Sequence, residues 1–148
     1  MSDFNARDDM RNKTRRFRSS TDAPEMQPRV TNALDRQVPH TVRFIVDDMT
    51  SVMDVPLKEY LVLGRRHVEQ DKQVDVDLSL FNAQKLGVSR YHAIIQTYHE
   101  RVAIKDFNSS NGTYLNGFIL KPMFGYRLRH DDELLLGRLK LKVHFLYD

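Results

Sequence analysis

Ala93-Ile-Ile-Gln-Thr-Tyr98, His99-Glu100, Arg101-Val-Ala-Ile-Lys-Asp106, and shortly after them Thr113-Tyr-Leu115, Asn116-Gly117, Phe118-Ile-Leu120 carry the clearest fold signal in the chain. In the first set, two apolar, partly β-branched runs flank two polar residues, which reads as a hairpin. In the second, Asn116-Gly117 sits between two short apolar runs. That dipeptide is the strongest short-range hairpin signal, because both turn positions need a positive φ. Downstream, Glu133-Leu-Leu-Leu136, Gly137 and the alternating run from Leu139 to Leu146 predict two more strands. Upstream, Thr41-Val-Arg-Phe-Ile-Val46 is bounded by Asp47-Asp48, and Tyr60-Leu-Val-Leu63 ends at Gly64. Extended over the chain, this pattern gives about nine or ten short strands and no long amphipathic helix. It predicts an all-β fold, an antiparallel sandwich or barrel. Leu78 to Leu86 fits no strand pattern and reads as a loop or a helical turn.

Composition sets the limits. A chain of 148 residues, 41% hydrophobic, can build one core. It has no Cys, so packing alone must hold it, no cysteine-ligated metal is possible, and a reducing compartment suits it. No run approaches the ~18 apolar residues of a membrane span. The start, Met-Ser-Asp-Phe-Asn, is polar and lacks the apolar region of a secretory signal. The expectation is a soluble, cytoplasmic protein. Net charge is +3, from 23 basic and 20 acidic residues. This near-even balance argues against nucleic acid as the main partner and for a local anion site built from a few placed groups.

The composition changes near residue 40. Residues 1–39 have only Val30, Leu34 and Val38 as branched aliphatic side chains, among much Asp, Arg, Asn, Ser and Pro. Such a segment buries too little apolar surface to offset its ordering entropy, so 1–39 is expected to be a flexible, disordered tail and 40–148 the domain. The basic run from Arg11 to Arg18 reads as a solvated tail, with contact to an acidic partner or nucleic acid as the alternative.

Four polar clusters lie between the predicted strands: Gly64-Arg65-Arg66, Ser89-Arg90-Tyr91-His92-Ala93, Asn108-Ser-Ser-Asn-Gly-Thr113 and Asn116-Gly117. Loops held by a rigid sheet are where binding groups tend to sit. The set is rich in donors and poor in carboxylates, with Arg65 offering a five-donor fork suited to phosphate or carboxylate. That inventory suits an anion pocket. It does not suit a metal or general-base site.

In order and spacing, Gly64-Arg65, Ser89-x-x-His92, Asn111-Gly112-Thr113-x-Leu115-x-Gly117 and the late His130-Asp-Asp-Glu-Leu-Leu-Leu-Gly137 resemble the forkhead-associated (FHA) domain, over roughly residues 41–148. The resemblance implies an eleven-stranded β-sandwich whose loops at one end bind phosphothreonine peptides. It places Arg65 and Ser89 on the phosphate and Ser110 beside the phosphate or the threonine methyl group. Asn111 falls on the peptide backbone, and Arg90 either on the phosphate or pointing away. Gly64, His92, Gly112 and Asn116 are implied as structural supports, with His92 bracing the loops. The late turn departs from the family in carrying Asp131-Asp132 where Gly is common, although Asp tolerates the left-handed conformation.

The expected role is a phosphothreonine-dependent interaction module in Ser/Thr kinase signalling, with no enzymatic activity, cofactor or metal. The alternative is a structural or scaffold sandwich that has lost phosphate binding. Ser89 and His92 lack the strand–turn–helix elbow and oriented carboxylate of a nucleophilic site. His92, His99, His130 and His144 are irregularly spaced for metal. In the tail, Arg11 lies three residues before Thr14 and Arg18 three before Thr21, a spacing that suits basophilic kinases. A phosphorylated tail threonine could therefore occupy the domain's own site, in cis or in a homodimer. A coil of ~39 residues has an r.m.s. reach on the order of 30–40 Å, enough to span a small domain.

Overall fold

The computed structural model describes residues 38–46, 51–67 and 74–148. Eleven strands follow one another: β1 (Thr41–Val46), β2 (Ser51–Pro56), β3 (Tyr60–Gly64), β4 (Val76–Asp77), β5 (Ala93–Tyr98), β6 (Arg101–Asp106), β7 (Thr113–Leu115), β8 (Phe118–Ile119), β9 (Gly125–Arg127), β10 (Glu133–Leu136) and β11 (Leu139–Leu146). They form a six-stranded sheet in the order β2-β1-β11-β10-β7-β8 and a five-stranded sheet in the order β4-β3-β5-β6-β9. Every pair is antiparallel except β3 with β4, which is parallel through Leu63↔Val76 and Gly64↔Asp77. The β-sandwich expected from the strand pattern is therefore present, with one short parallel edge.

Period-two burial explains why these segments are strands. Along β11, Leu139, Leu141, Val143 and Phe145 are buried, while Lys140 and Lys142 are exposed. Inward residues from both sheets, among them Phe44, Leu61, Leu63, Ile95, Ile104, Leu134 and Leu141, join one core. Turn chemistry sets the register. His99 and Glu100 both have positive φ, 48° and 63°, between β5 and β6. Asn116 and Gly117 do the same, at 50° and 90°, between β7 and β8. Asp131 stands at φ 73°, in the left-handed region its small polar side chain tolerates.

Three strands escaped the pattern reading: β2, β4 and β9. β2 alternates half-buried and exposed positions and sends only Met53 and Val55 against the core, a pattern blurred by exposed Val52 and by Asp54 and Pro56. β4 and β9 contain only two and three residues. The unplaced stretch 78–86 contains a single 3-10 turn, Ser79–Phe81, closed by Asn82 at φ 59°. No helix among the described residues is long and apolar enough to cross a membrane.

Leu141 lies in the middle of β11, fully buried between the sheets. Leu141→Ala should cost about 2–5 kcal/mol, because the cavity it leaves adds to the lost transfer energy. In urea titration this appears as a lower midpoint with an unchanged slope.

Candidate phosphopeptide-binding site

Three loops converge at one end of the sandwich, and a missing Cβ lets them meet. A Cβ on Gly64 would lie 1.9 Å from the Arg90 carbonyl oxygen, so the close approach of the 89–92 segment to the end of β3 requires glycine. The contact is tied by Arg65 N–H to Arg90 O at 3.2 Å and His92 N–H to Leu63 O at 2.8 Å. The Arg65 side chain is half-buried, and its Nε donates to the Val88 carbonyl at 2.8 Å. That bond orients the guanidinium through Nε, and its two terminal nitrogens remain as donors.

Asp77 shapes the same loop from the other side. Its carboxylate accepts from the Ser79 hydroxyl at 2.6 Å, the Ser79 amide at 3.0 Å and the Arg66 amide at 3.2 Å. Burial pushes the Asp77 carboxyl upward, but the Ser79 and Arg66 bonds outweigh it and hold the group below its ordinary value.

His92 joins two of the loops. Fully buried, it accepts the Ser89 amide at Nδ1, 2.9 Å, so the ring proton sits on Nε2 and is donated to the Gly112 carbonyl at 2.9 Å. Ser89 Oγ in turn accepts the Ser110 amide at 3.1 Å, and its hydroxyl hydrogen remains a donor. Asn111 is exposed and donates Nδ2 to the Gly87 carbonyl at 2.9 Å, so its Oδ1 remains an acceptor. Gly112 turns the chain at φ 88°. Its carbonyl takes a second bond, from the Gly137 amide at 3.0 Å.

The fold thus brings Arg65, Ser89, Ser110 and Asn111 into one hydrogen-bonded group of loops, with Gly64, His92 and Gly112 inside the framework. Arg90 touches the framework through its backbone, and its side chain is exposed at the rim. Asn116 lies elsewhere, at the far end of β7. There its Nδ2 donates to Asp132 Oδ1 at 2.9 Å and its Oδ1 accepts the Glu133 amide at 2.8 Å. It supports the β7–β8 hairpin against the late turn and does not touch the loop group. Thr14 and Thr21, with the rest of residues 1–37, lie outside the described residues.

Two participants were not singled out from sequence. Buried Asp106, at the end of β6, accepts the Ser109 hydroxyl, the Ser109 amide at 3.2 Å and the Thr113 hydroxyl at 2.6 Å. Ser109 Oγ then accepts the Gly112 amide at 2.9 Å. The spacing Asp106-x-x-Ser109 is a local side-chain-to-backbone turn that could have been read as such. Gly137, at φ 60°, is the other: a Cβ there would come within 2.6 Å of the Leu86 and Gly87 carbonyls. No local pattern announces that contact, since it joins residues some fifty positions apart.

The chemistry follows from this accounting. Asp77 and Asp106 are occupied within the scaffold, and Arg65, Ser89 and Arg90 leave donors at the surface. The arrangement is suited to hold an anion. It is ill suited to nucleophilic catalysis, because His92 has both ring nitrogens bonded to backbone groups and contacts the amide of Ser89 rather than its hydroxyl. Among the described residues one group of His and carboxylate side chains is close enough to share a cation, His130, Asp131 and His144, with ligand atoms within 4.8 Å of one another. His130 Nδ1, however, accepts the Phe145 amide at 2.9 Å, which keeps the proton on Nε2, the nitrogen that faces Asp131. A metal-bound histidine needs the opposite arrangement, with its outer nitrogen donating.

Comparison with known proteins agrees with this geometry. The family model of the FHA domain matches residues 61–137, just over half of the chain, and the chain belongs to the FHA-domain family. Protein FraH of Nostoc sp. (strain PCC 7120) is 44% identical over 73 residues, a match covering 49% of this chain and 25% of that protein. The chain thus spans about a quarter of that relative's length. Among solved structures, the FHA domain of an Arabidopsis thaliana hypothetical protein superposes with a TM-score of 0.61 at 21% identity, covering 80% of this chain and 97% of that one. An FHA domain from a structural and functional analysis of phosphothreonine-dependent FHA domain interactions gives 0.54 at 28% identity, covering 71% and 96%. FHA domains are interaction modules, generally without enzymatic activity.

Burial pushes the His92 imidazolium down, against raising pulls from the Gly112 carbonyl and the Asp106 carboxylate. Between that lowered value and the ordinary 6.5 of the unfolded chain, the unfolded state binds more protons. Stability should therefore fall as pH drops below about 6.5. His92→Gln removes this titration, so urea unfolding at about pH 7.5 and about pH 5.5 should show a smaller pH dependence in the variant.

Proposed function

We propose that this chain is a phosphothreonine-dependent protein-interaction module acting in cytoplasmic Ser/Thr kinase signalling. One observation carries the reading: the guanidinium of Arg65, steered by Val88 O, and the free donor of Ser89, whose oxygen is held by the Ser110 amide, share one framework of loops. A phosphothreonine brings about −1.5 to −2 charges and three acceptor oxygens, which these donors and Arg90 at the rim complement. Asn111, fixed to Gly87 through Nδ2, presents Oδ1 to an N–H of the bound peptide backbone. Membership of the FHA family supports the assignment, as does the 28% identity to a domain studied for phosphothreonine-dependent interactions.

The partner is a phosphorylated protein or peptide, generated by a Ser/Thr kinase. The chain's own Thr14 or Thr21 is a further candidate ligand, in cis or between two copies. Residue 40 joins the domain beside Leu146, at the end of β11 opposite the loop group. A tail threonine acting in cis must therefore pass along the sandwich, about 27 Å for an eight-residue strand at ~3.4 Å per residue. Kinase-treated full-length protein should then bind an external phosphopeptide more weakly than residues 40–148 alone. Equal affinities would remove the tail from this role.

Hydrogen bonds to charged groups contribute roughly 1.5–3 kcal/mol, so Arg65→Ala should weaken phosphopeptide binding on the order of 10- to 150-fold in isothermal titration, with the fold kept. Arg65→Lys should also bind more weakly, since it keeps the charge and loses both the fork and the Val88 bond. Binding unaffected by dephosphorylating the peptide would return the chain to the scaffold reading.

A further inference from the structure

The end of the sandwich opposite the loop group holds a cleft that phosphothreonine recognition does not use. Pro39 and Tyr147 line it from the six-stranded sheet, and residues 100–102 and 127–130 line it from the other. Its volume is about 50 Å³. One water needs about 10–15 Å³ of such space, so the cleft has room for a group of roughly four oxygen-sized atoms. A tetrahedral oxyanion is that size. A nucleotide or a peptide is not.

Strand register concentrates cations here. β6 and β9 pair through Ala103↔Arg127, and the Leu128 amide extends the ladder by donating to Val102 O at 2.8 Å. One step further on, Arg129 stands across from Arg101, with Arg127 two residues away on the same side of the ladder. Like charges directly opposite each other destabilise an antiparallel pair. Arg127 is only 4% exposed, which removes much of the screening that water would give. Arg127 and Arg129 are each engaged within the chain. Half-buried Arg101 makes no hydrogen bond or ion pair among the described residues, so its five donors remain.

Carboxylates do not balance the group. Glu100 is the one that lines the cleft, exposed at the β5–β6 turn and without an ion pair among the described residues. Asp131 meets His144 at 2.9 Å, while Asp132 accepts the Arg129 amide at 2.6 Å and Asn116 Nδ2 at 2.9 Å. The lining therefore sets three guanidinium groups against a single carboxylate.

We propose that this cleft is a second anion site, taking a small oxyanion of the phosphate class, free or as the terminal group of a phosphomonoester. Arg101 supplies the bidentate fork, and Arg127 and Arg129 supply the surrounding positive potential. The bound charge offsets the repulsion between Arg101 and Arg129. It also joins the ends of both sheets at Pro39, where the chain enters the domain. The site is separate from phosphothreonine recognition, since β6 carries the chain roughly 17 Å from Arg101 to the Asp106 end at ~3.4 Å per residue.

The test is thermal unfolding and isothermal titration of the full-length chain with sodium phosphate, glycerol phosphate or sodium chloride at matched ionic strength and pH. Arg65→Ala serves as the background, so that the phosphothreonine site does not contribute. Phosphate at about 10 mM should raise the midpoint above that in chloride, because it binds the folded state. Adding Arg101→Ala should weaken phosphate binding about 10-fold or more. In chloride the same substitution should leave the midpoint unchanged or raised, since it removes one of two opposed like charges. Arg101→Lys keeps the charge, loses the fork and should also bind phosphate more weakly. Glycerol phosphate binding as tightly as phosphate assigns the site to a phosphomonoester, and binding of phosphate alone assigns it to the free ion. Equal responses to phosphate and chloride overturn the proposal, as does phosphate binding that survives Arg101→Ala. So does a lower midpoint of Arg101→Ala in chloride, which would mean that the chain itself already satisfies Arg101. With Arg65 intact, phosphothreonine-peptide affinity should be the same with and without Arg101→Ala, and a matching loss overturns the separation of the two sites.

Discussion

His92 has two ring nitrogens and the sandwich uses both, one to accept the Ser89 amide and one to donate to the Gly112 carbonyl. A buried imidazole can do this only while neutral, and burial favours the neutral form. The consequence reaches past the two bonds. With Ser89 N–H and Gly112 O anchored to one rigid ring, the 87–92 and 107–112 loops have one relative position, and the Ser110 amide then meets Ser89 Oγ. Loops tied this way present donors in a fixed pattern, so a ligand need not bear the cost of ordering them.

Close backbone approaches complete the arrangement. Gly64 admits the Arg90 carbonyl and Gly137 admits the carbonyls of Leu86 and Gly87, each at distances no Cβ allows. Through these contacts both sheets contribute to one site. The turn after β10 in the six-stranded sheet grips the loop that carries Ser89, which leads into β5 of the other sheet. Arg138 strengthens this grip, its amide donating to Leu86 O at 2.7 Å and its guanidinium to Lys85 O. The carboxylates that could repel an anion are committed to the scaffold: half-buried Asp77 to Ser79 and the Arg66 amide, buried Asp106 to Ser109 and Thr113. The same residues that stiffen the loops thereby leave positive and donor groups as the exposed chemistry.

The two ends of the sandwich differ in kind. One end gathers donors and glycine-enabled contacts, with an apolar surface along its flank. The other holds the chain's entry near residue 40 and the stacked rings of His130 and His144, 4.5 Å apart, with His144 2.9 Å from Asp131. Asn116 belongs to that second end through Asp132 and Glu133. Its motif neighbours Gly112 and Thr113 lie at the first, because the three-residue strand between them carries the chain away from the site.

Much of this was legible in residue order. Alternation along Leu139–Leu146 and the turns at His99-Glu100 and Asn116-Gly117 follow from period-two burial and from φ requirements local to each turn, so sequence alone determined the all-β class and most strands. Sequence also determined which residue types could meet an anion, since Arg65, Ser89 and Asn111 stand in motifs with a recognisable spacing. What it could not contain is the work of contacts between distant residues. β4 and β9 are too short to carry a pattern and β2 offers only Met53 and Val55 to the core, so these strands depend on the partners that neighbouring strands offer. The need for glycine at 137, the tautomer of His92 and the inward commitment of Asp106 depend on groups from other loops. So does the placing of Ile119 against Gly112, which sets an apolar edge strand beside a site of polar loops. Only the tertiary structure decided these, because hydrogen-bond partners and close approaches are properties of space rather than of chain order.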